Sequence, residues 1–207
     1  MKFRDFETVY AARPAFTVRE VELRFPGFDD RQLHYWQGKG WVRPLRRPFY
    51  RILDRPWTLH ERQAVANMIY APSYISLESA LSHYGFIPEG VFHLTSITSR
   101  HTRFFELDGI THSYRSVRPS WFFGYAILEQ GGVPVRMAEP EKALLDMLHL
   151  NPALLAPEDF DGLRLDPTGI KETIRPLVFQ DYMALSTNKA LISRARTFQR
   201  WLHDHAG

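Results

Sequence analysis

Between residues 13 and 52 turn signals follow one another so closely that each regular element there is confined to two or three turns. Arg13-Pro14 ends a helical pattern over 2–12 that spaces Phe3, Phe6, Val9 and Tyr10 by three and four. Thr17-Val18-Arg19-Glu20 reads as a capping box, the threonine oxygen accepting a backbone N–H and the glutamate returning the bond. The helix it opens runs to about Phe25, where Pro26-Gly27 breaks it. Asp29, with Gln32 three residues on, is read as the next cap, for a helix through Leu33 and Trp36 that Gly38 or Gly40 ends. Strand-like residues then alternate from Trp41 to Ile52 around an Arg46-Arg47-Pro48 corner, which suits a two-stranded wing. Two short helices joined by a tight turn, followed by such a hairpin, predict a winged helix-turn-helix over residues 1–55.

Charge favours the same segment. The whole chain carries only +3, but residues 1–55 hold twelve Lys/Arg against seven Asp/Glu, and the remainder is net negative. Within 31–55 seven basic residues face the single acid Asp54, so the positive field is concentrated on one short stretch. If the third helix enters a major groove, Arg31, Gln32, His34, Tyr35, Gln37 and Lys39 are placed to meet bases or phosphates while Leu33 and Trp36 pack inward. Arg43, Arg46, Arg47 and Arg51 of the wing are placed to reach the flanking backbone. The competing reading of the same residues is a solvated basic face on a protein-interaction module.

Asp54-Arg55-Pro56 marks a boundary, and a second capping box, Thr58-Leu59-His60-Glu61, opens a helix through Ala71. A domain over 56–207 is therefore expected. Ser76 is read as the cap of a helix that Gly85 stops. Strands are expected at 91–98, 103–107 and 110–117, the last two joined across Asp108-Gly109, and at 125–129 and 133–138 across Gly131-Gly132. Helices are expected at 140–149, 169–182 and 187–204. The fold class is α+β, with a mostly antiparallel sheet and C-terminal helices. Trp121, Phe122, Phe123 and Tyr125 read as core.

A hydrophobic content of 44% suffices for a real core, and no run of eighteen apolar residues or secretory leader is present, so a cytoplasmic protein with no membrane partner is expected. With no cysteine, disulfides, thiolate nucleophiles and cysteine-bearing zinc sites are excluded. Nine histidines form no HExxH and no ligand pair at helical spacing, so neither metal nor cofactor is expected. Glu139-Pro140-Glu141-Lys142 departs in spacing from the acid-x-lysine element of nucleases, and reads better as a helix start, with Ala143, Leu144, Met147 and Leu148 as its buried stripe. No enzyme activity is expected. Ser96, Thr98, Arg100, Arg103, Arg115 and Arg118, on adjoining strands and beyond them, form a candidate polar surface.

Four segments carry a resemblance. They are the run from Tyr74 to Glu89 (Tyr-Ile-Ser-Leu-Glu-Ser-Ala-Leu-Ser-His-Tyr-Gly-Phe-Ile-Pro-Glu), Leu94-Thr95-Ser96-Ile97-Thr98-Ser99-Arg100, Phe122-Phe123-Gly124-Tyr125, and Ala138-Glu139-Pro140-Glu141-Lys142-Ala143-Leu144-Leu145-Asp146. In this order they resemble the AbiEi family of antitoxins and transcriptional regulators of bacterial type IV toxin–antitoxin systems. The likeness covers most of residues 15–150. It implies an N-terminal winged helix-turn-helix that represses its own operon at inverted repeats, and a C-terminal domain that counters a nucleotidyltransferase-like toxin without a stable complex. The candidate polar surface would face toxin or nucleic acid, the competing reading being solvated strand faces. The reading from another class is a ligand-responsive winged-helix repressor with no toxin partner.

Overall fold

Local signals account for most of the first elements. The computed structural model describes residues 1–88 and 93–206. Helix α1 (Phe3–Tyr10) precedes a two-residue strand β1 (Phe16–Thr17) and helix α2 (Val18–Arg24). Thr17 and Glu20 close the expected capping box, with Glu20 N–H donating to Thr17 Oγ1 at 3.2 Å and Thr17 N–H to Glu20 Oε2 at 2.7 Å. Helix α3 (Arg31–Gly38) starts differently from the expectation: Asp30 takes the cap position in a helical conformation, and no side chain caps it. Asp29 instead accepts the Arg31 N–H at 3.0 Å and pairs with the Arg31 guanidinium. A carboxylate two residues from a cation satisfies both locally, which leaves the Gln32 end of a capping box unused.

Strands β2 (Val42–Pro44) and β3 (Phe49–Ile52) follow, and the three strands form a sheet in the order β1-β3-β2, with both pairings antiparallel. Phe6, Tyr10, Phe16, Val21, Leu33, Trp36, Val42 and Ile52 make one buried cluster from all of these elements. Its aromatics interlock: Phe6 lies 5.1 Å from Phe16, edge to face, and 4.8 Å from Trp36. The second capping box also forms, Thr58 Oγ1 accepting from Glu61 N–H and Glu61 from Thr58 N–H, at the head of α4 (Leu59–Ile69).

The chain makes two compact units, Met1–Ala71 with Glu129–Val135, and Pro72–Leu128 with Arg136–Gly207. Helix α4 thus lies in the first, where His60 Nε2 sits 2.7 Å from the Val133 carbonyl oxygen. A six-stranded sheet, all of it in the second unit except residues 129–130 and 133–135, is built of β4 (Ser73–Ile75), β5 (Leu94–Thr98), β6 (Arg103–Leu107), β7 (Ile110–Ser116), β8 (Tyr125–Gln130) and β9 (Val133–Ala138), ordered β6-β7-β5-β4-β9-β8. The β4–β5 and β6–β7 pairs are antiparallel, whereas β4–β9 and β5–β7 are parallel. The class is α+β, with mostly antiparallel strands over the two sheets. Asp108 and Gly109 both take positive φ, 50° and 73°, as a two-residue hairpin turn requires. Of the strand expected at 91–98, residues 91 and 92 lie outside the described residues, as does Glu89 of the family-like run.

Helix α5 (Glu78–His83) is not capped by Ser76. The Ser76 hydroxyl turns inward to Asp146, and the residue before the helix is Leu77, held at φ 56°. The N–H of Ser79 is met from another strand by Thr95 Oγ1 at 3.0 Å, while Ser79 Oγ accepts the Thr95 N–H at 2.9 Å. Tertiary partners replace the local cap. Helix α6 (Pro140–Leu150) packs against α5, and the chain ends in α7 (Glu158–Asp161), α8 (Pro167–Thr173), α9 (Pro176–Ala184) and α10 (Lys189–His205). The single helix expected at 169–182 is two, because Pro176 has no N–H to continue α8 and instead opens α9. No helix among the described residues is long and apolar enough to cross a membrane.

Candidate functional site

Helix α3 divides its residues between two faces. Leu33 and Trp36 are buried in the core, while Arg31, His34, Tyr35 and Lys39 are exposed and Gln32 and Gln37 half-buried. The exposed set is not uniformly available. Arg31 is held by Asp29 at 2.7 Å, and Lys39 Nζ lies 5.6 Å from the centroid of the Tyr35 ring. Tyr35 meets Trp41 edge to face at 6.4 Å, so an exposed aromatic pair that the sequence reading did not group stands where α3 gives way to β2.

Three of the hairpin's four arginines are exposed. Arg43 and Arg47 are exposed. Arg46 is also exposed, but its Nη1 donates to the Ile69 carbonyl at 2.7 Å, at the C-terminal end of α4 where orphan carbonyls and the helix dipole favour a cation. Arg51 corrects the expectation: only 4% of it is exposed, so it cannot meet a phosphate. Along β3, Tyr50 and Ile52 face the core and Arg51 faces the other way, where residues 55–57 cover it. Its guanidinium stacks 3.9 Å over the Trp57 ring and donates to the Arg55 carbonyl at 2.6 Å, and Trp57 Nε1 is itself anchored to the Pro14 carbonyl.

The candidate surface of the second unit separates in the same way. Arg100, Arg103, Arg115 and Arg118 are exposed. Ser96 and Thr98 are buried, which removes them from any contact surface. They lie on β5, whose two edges are taken by β4 and β7 and whose five residues are all buried. Thr98 Oγ1 donates to the Pro72 carbonyl at 2.7 Å, so the hydroxyl serves the fold.

A cluster that the sequence reading treated only as a helix start lies at the centre of this unit. Lys142 and Asp146 are both fully buried and form an ion pair one turn apart on α6. Asp146 also accepts hydrogen bonds from Tyr74 OH at 3.0 Å, Ser76 Oγ at 2.8 Å and Trp121 Nε1 at 2.9 Å, and Lys142 Nζ donates to Tyr74 OH. Aromatic faces surround the ammonium, with Trp121 at 4.6 Å, Phe123 at 5.1 Å and Tyr74 at 5.5 Å. Of the four aromatics expected in the core, Trp121 is buried and Phe122, Phe123 and Tyr125 are half-buried around Tyr74 and Lys142. Burial lowers the Lys142 ammonium against the pull of Asp146, and burial, then Asp146, raises the Tyr74 phenol well above its usual range. The cluster is satisfied and closed, a structural group with no access for a substrate. The i,i+4 spacing of Lys142 and Asp146 was the one signal of it in the sequence.

Beside it, Gly124 takes φ +69°, and a Cβ there would stand 3.0 Å from Tyr182 Cε2 and 3.1 Å from Lys142 Cγ. Gly124→Ala is therefore expected to lose about 1–3 kcal/mol, seen as a lowered melting temperature. An unchanged temperature would mean that the loop relaxes without cost.

A cleft of about 480 Å³ opens next to Trp121, between the short 3₁₀ turn Pro119–Trp121, the C-terminal end of α6 and the segment joining α9 to α10. No group of three or more His, Asp or Glu side chains fit to hold a metal occurs among the described residues. Comparison with protein-family models and with curated proteins finds no match to this chain.

Proposed function

We propose that residues 1–55 form a winged helix-turn-helix that binds double-stranded operator DNA in the cytoplasm, and that the chain is an AbiEi-like antitoxin and autorepressor. In this reading α2 and α3 are the helix-turn-helix, and β2 and β3 are the wing. Residues beyond 55 counteract a nucleotidyltransferase-like toxin, with no enzyme activity of their own. The observation that carries the DNA half is the division of α3: Leu33 and Trp36 anchor it in the core while His34, Tyr35 and Lys39 face out, beside Arg43 and Arg47 of the hairpin. A helix held by one face and flanked by cations suits a major groove, with the hairpin on the adjoining backbone. The toxin half is supported by the four family-like segments.

A mobility-shift titration on the protein's own promoter tests the DNA half. Arg43→Ala with Arg47→Ala should weaken binding and reduce the slope of log affinity against log salt by about 2, roughly one phosphate per arginine. Unchanged affinity and slope in a variant that melts normally would refute the wing assignment. Co-expression with the adjacent open reading frame tests the other half. The full chain should restore growth if that frame encodes the toxin, and the double-arginine variant should restore it too if DNA binding and toxin control are separable. No rescue by the wild-type chain would refute the antitoxin reading.

A further inference from the structure

A cleft of about 240 Å³ lies over one face of the six-stranded sheet, and the strand register builds its floor. Thr95 of β5 is paired with Ser113 of β7, and Ser113 with Phe104 of β6, so the three side chains stand in one row on the same face. Arg115, two residues along β7 from Ser113, rises on that face too. The start of α5 makes one wall, pinned to the floor by the two hydrogen bonds that Thr95 and Ser79 exchange. Glu78, next to Ser79, therefore stands at the β5 side of the cleft, while Phe104 lies at the β6 side.

Thr95 is fully employed, its Oγ1 accepting from the Ser79 N–H and donating to the Ser76 carbonyl at 2.6 Å. Ser113 is not. Only 8% of it is exposed, yet among the described residues its hydroxyl makes no hydrogen bond, and it opens into the cleft without being shut off. A hydroxyl placed so deep costs free energy unless a further group meets it. Glu78 and Arg115 line the same cleft with opposite charges, and neither forms an ion pair with the other or with any described residue. Opposite charges held apart across so small a space are complementary to a molecule that carries both signs. Phe104, 64% exposed, adds an apolar patch beyond them.

We propose that this cleft binds a free amino acid with an apolar side chain. The ammonium of the ligand donates to the Glu78 carboxylate, its carboxylate accepts from the Ser113 hydroxyl and the Arg115 guanidinium, and its side chain lies over Phe104. That sequence of contacts follows the strands, from β5 through β7 to β6. The volume falls below the roughly 300–1,000 Å³ of clefts that take drug-sized ligands, which suits so small a molecule. This assignment goes beyond the DNA and toxin readings and rests on neither.

Isothermal titration of the full chain with L-leucine tests the site, and the heat should saturate. Two analogues, 4-methylpentanoate without the ammonium and 3-methylbutylamine without the carboxylate, should each bind about tenfold more weakly or worse. Glu78→Gln and Arg115→Ala alter exposed side chains, so both should melt as the wild type does and weaken L-leucine by a similar factor. Ser113→Ala should also weaken it, with a melting temperature unchanged or raised, because no hydrogen bond within the fold is lost. Glycine should bind more weakly than L-leucine, and Phe104→Ala should remove that difference. No saturation with L-leucine, or full affinity in both charge variants, would overturn the site. Equal binding of either analogue would overturn the zwitterion, and equal binding of glycine to the wild type would overturn the apolar side chain. A lowered melting temperature with unaltered binding in Ser113→Ala would make that serine structural and remove it from the site.

Discussion

Asp146→Ala should destabilise the protein by about 3–5 kcal/mol, the cost of breaking a fully buried ion pair from one side. The carboxylate takes four hydrogen bonds, from Lys142, Tyr74, Ser76 and Trp121, in a site where both charged partners have no exposure. Its loss strands the Lys142 ammonium among aromatic rings. Burial already lowers Lys142, and without Asp146 nothing opposes that shift, so the folded state would hold the amine neutral. A lysine whose folded pKa lies below its unfolded value favours folding as pH rises, so the deficit should narrow toward about pH 10, where the unfolded lysine also loses its proton. Adding Lys142→Met should recover part of the loss at neutral pH, since the uncompensated charge is gone. Urea unfolding of the wild type and the two variants measures this, and a cost below about 1 kcal/mol for Asp146→Ala would mean that the pair is open to solvent.

Arg175→Ala should cost about 2 kcal/mol and reverse the pH dependence contributed by Glu141. Glu141 is fully buried and accepts from Arg175 three times: from its N–H at 2.6 Å, its Nε at 3.0 Å and its Nη2 at 3.0 Å. Burial pushes this carboxyl up, but the hydrogen bonds and charge of Arg175 outweigh it and the net shift is downward. In the wild type its stabilisation is therefore full above the unfolded glutamate pKa, near 4.3, and is lost as pH falls through the lower folded value. With alanine at 175 the backbone N–H remains, the fork is gone and burial dominates, so the deficit should be largest at neutral pH and shrink on acidification. The magnitude is below that for Asp146 because the arginine side chain is more than half exposed, which weakens what it loses. Parallel melting curves for wild type and variant between pH 7 and pH 4 would contradict the assignment.

The contrast between Glu61 and Glu141 shows which charges were legible in advance. Glu61 sits in a capping box, and hydrogen bonds from Arg55, six residues away, are the largest of the effects that bring its carboxyl down to about 2. Those partners are local, and the box was readable from four letters. Glu141 was read only as an acid suited to a helix start. Its real partner is thirty-four positions along the chain, and no spacing rule reaches that far.

The same division runs through the candidate sites. The capping boxes at Thr17 and Thr58, the Asp108-Gly109 turn and the strand over 133–138 follow from neighbours within a few residues, and they form as the sequence alone dictates. Period-three and period-four spacing likewise determined that Leu33 and Trp36 point inward. What only the tertiary structure decided is which polar residues remain outside. Arg51 disappears under Trp57, Ser96 and Thr98 between β4 and β7, and Lys142 and Asp146 among Tyr74, Ser76 and Trp121, whereas Arg43, Arg47 and Arg118 stay exposed. Periodicity states which face of an element a side chain takes; burial depends on what distant chain covers that face, and the free energy of a charge follows the burial.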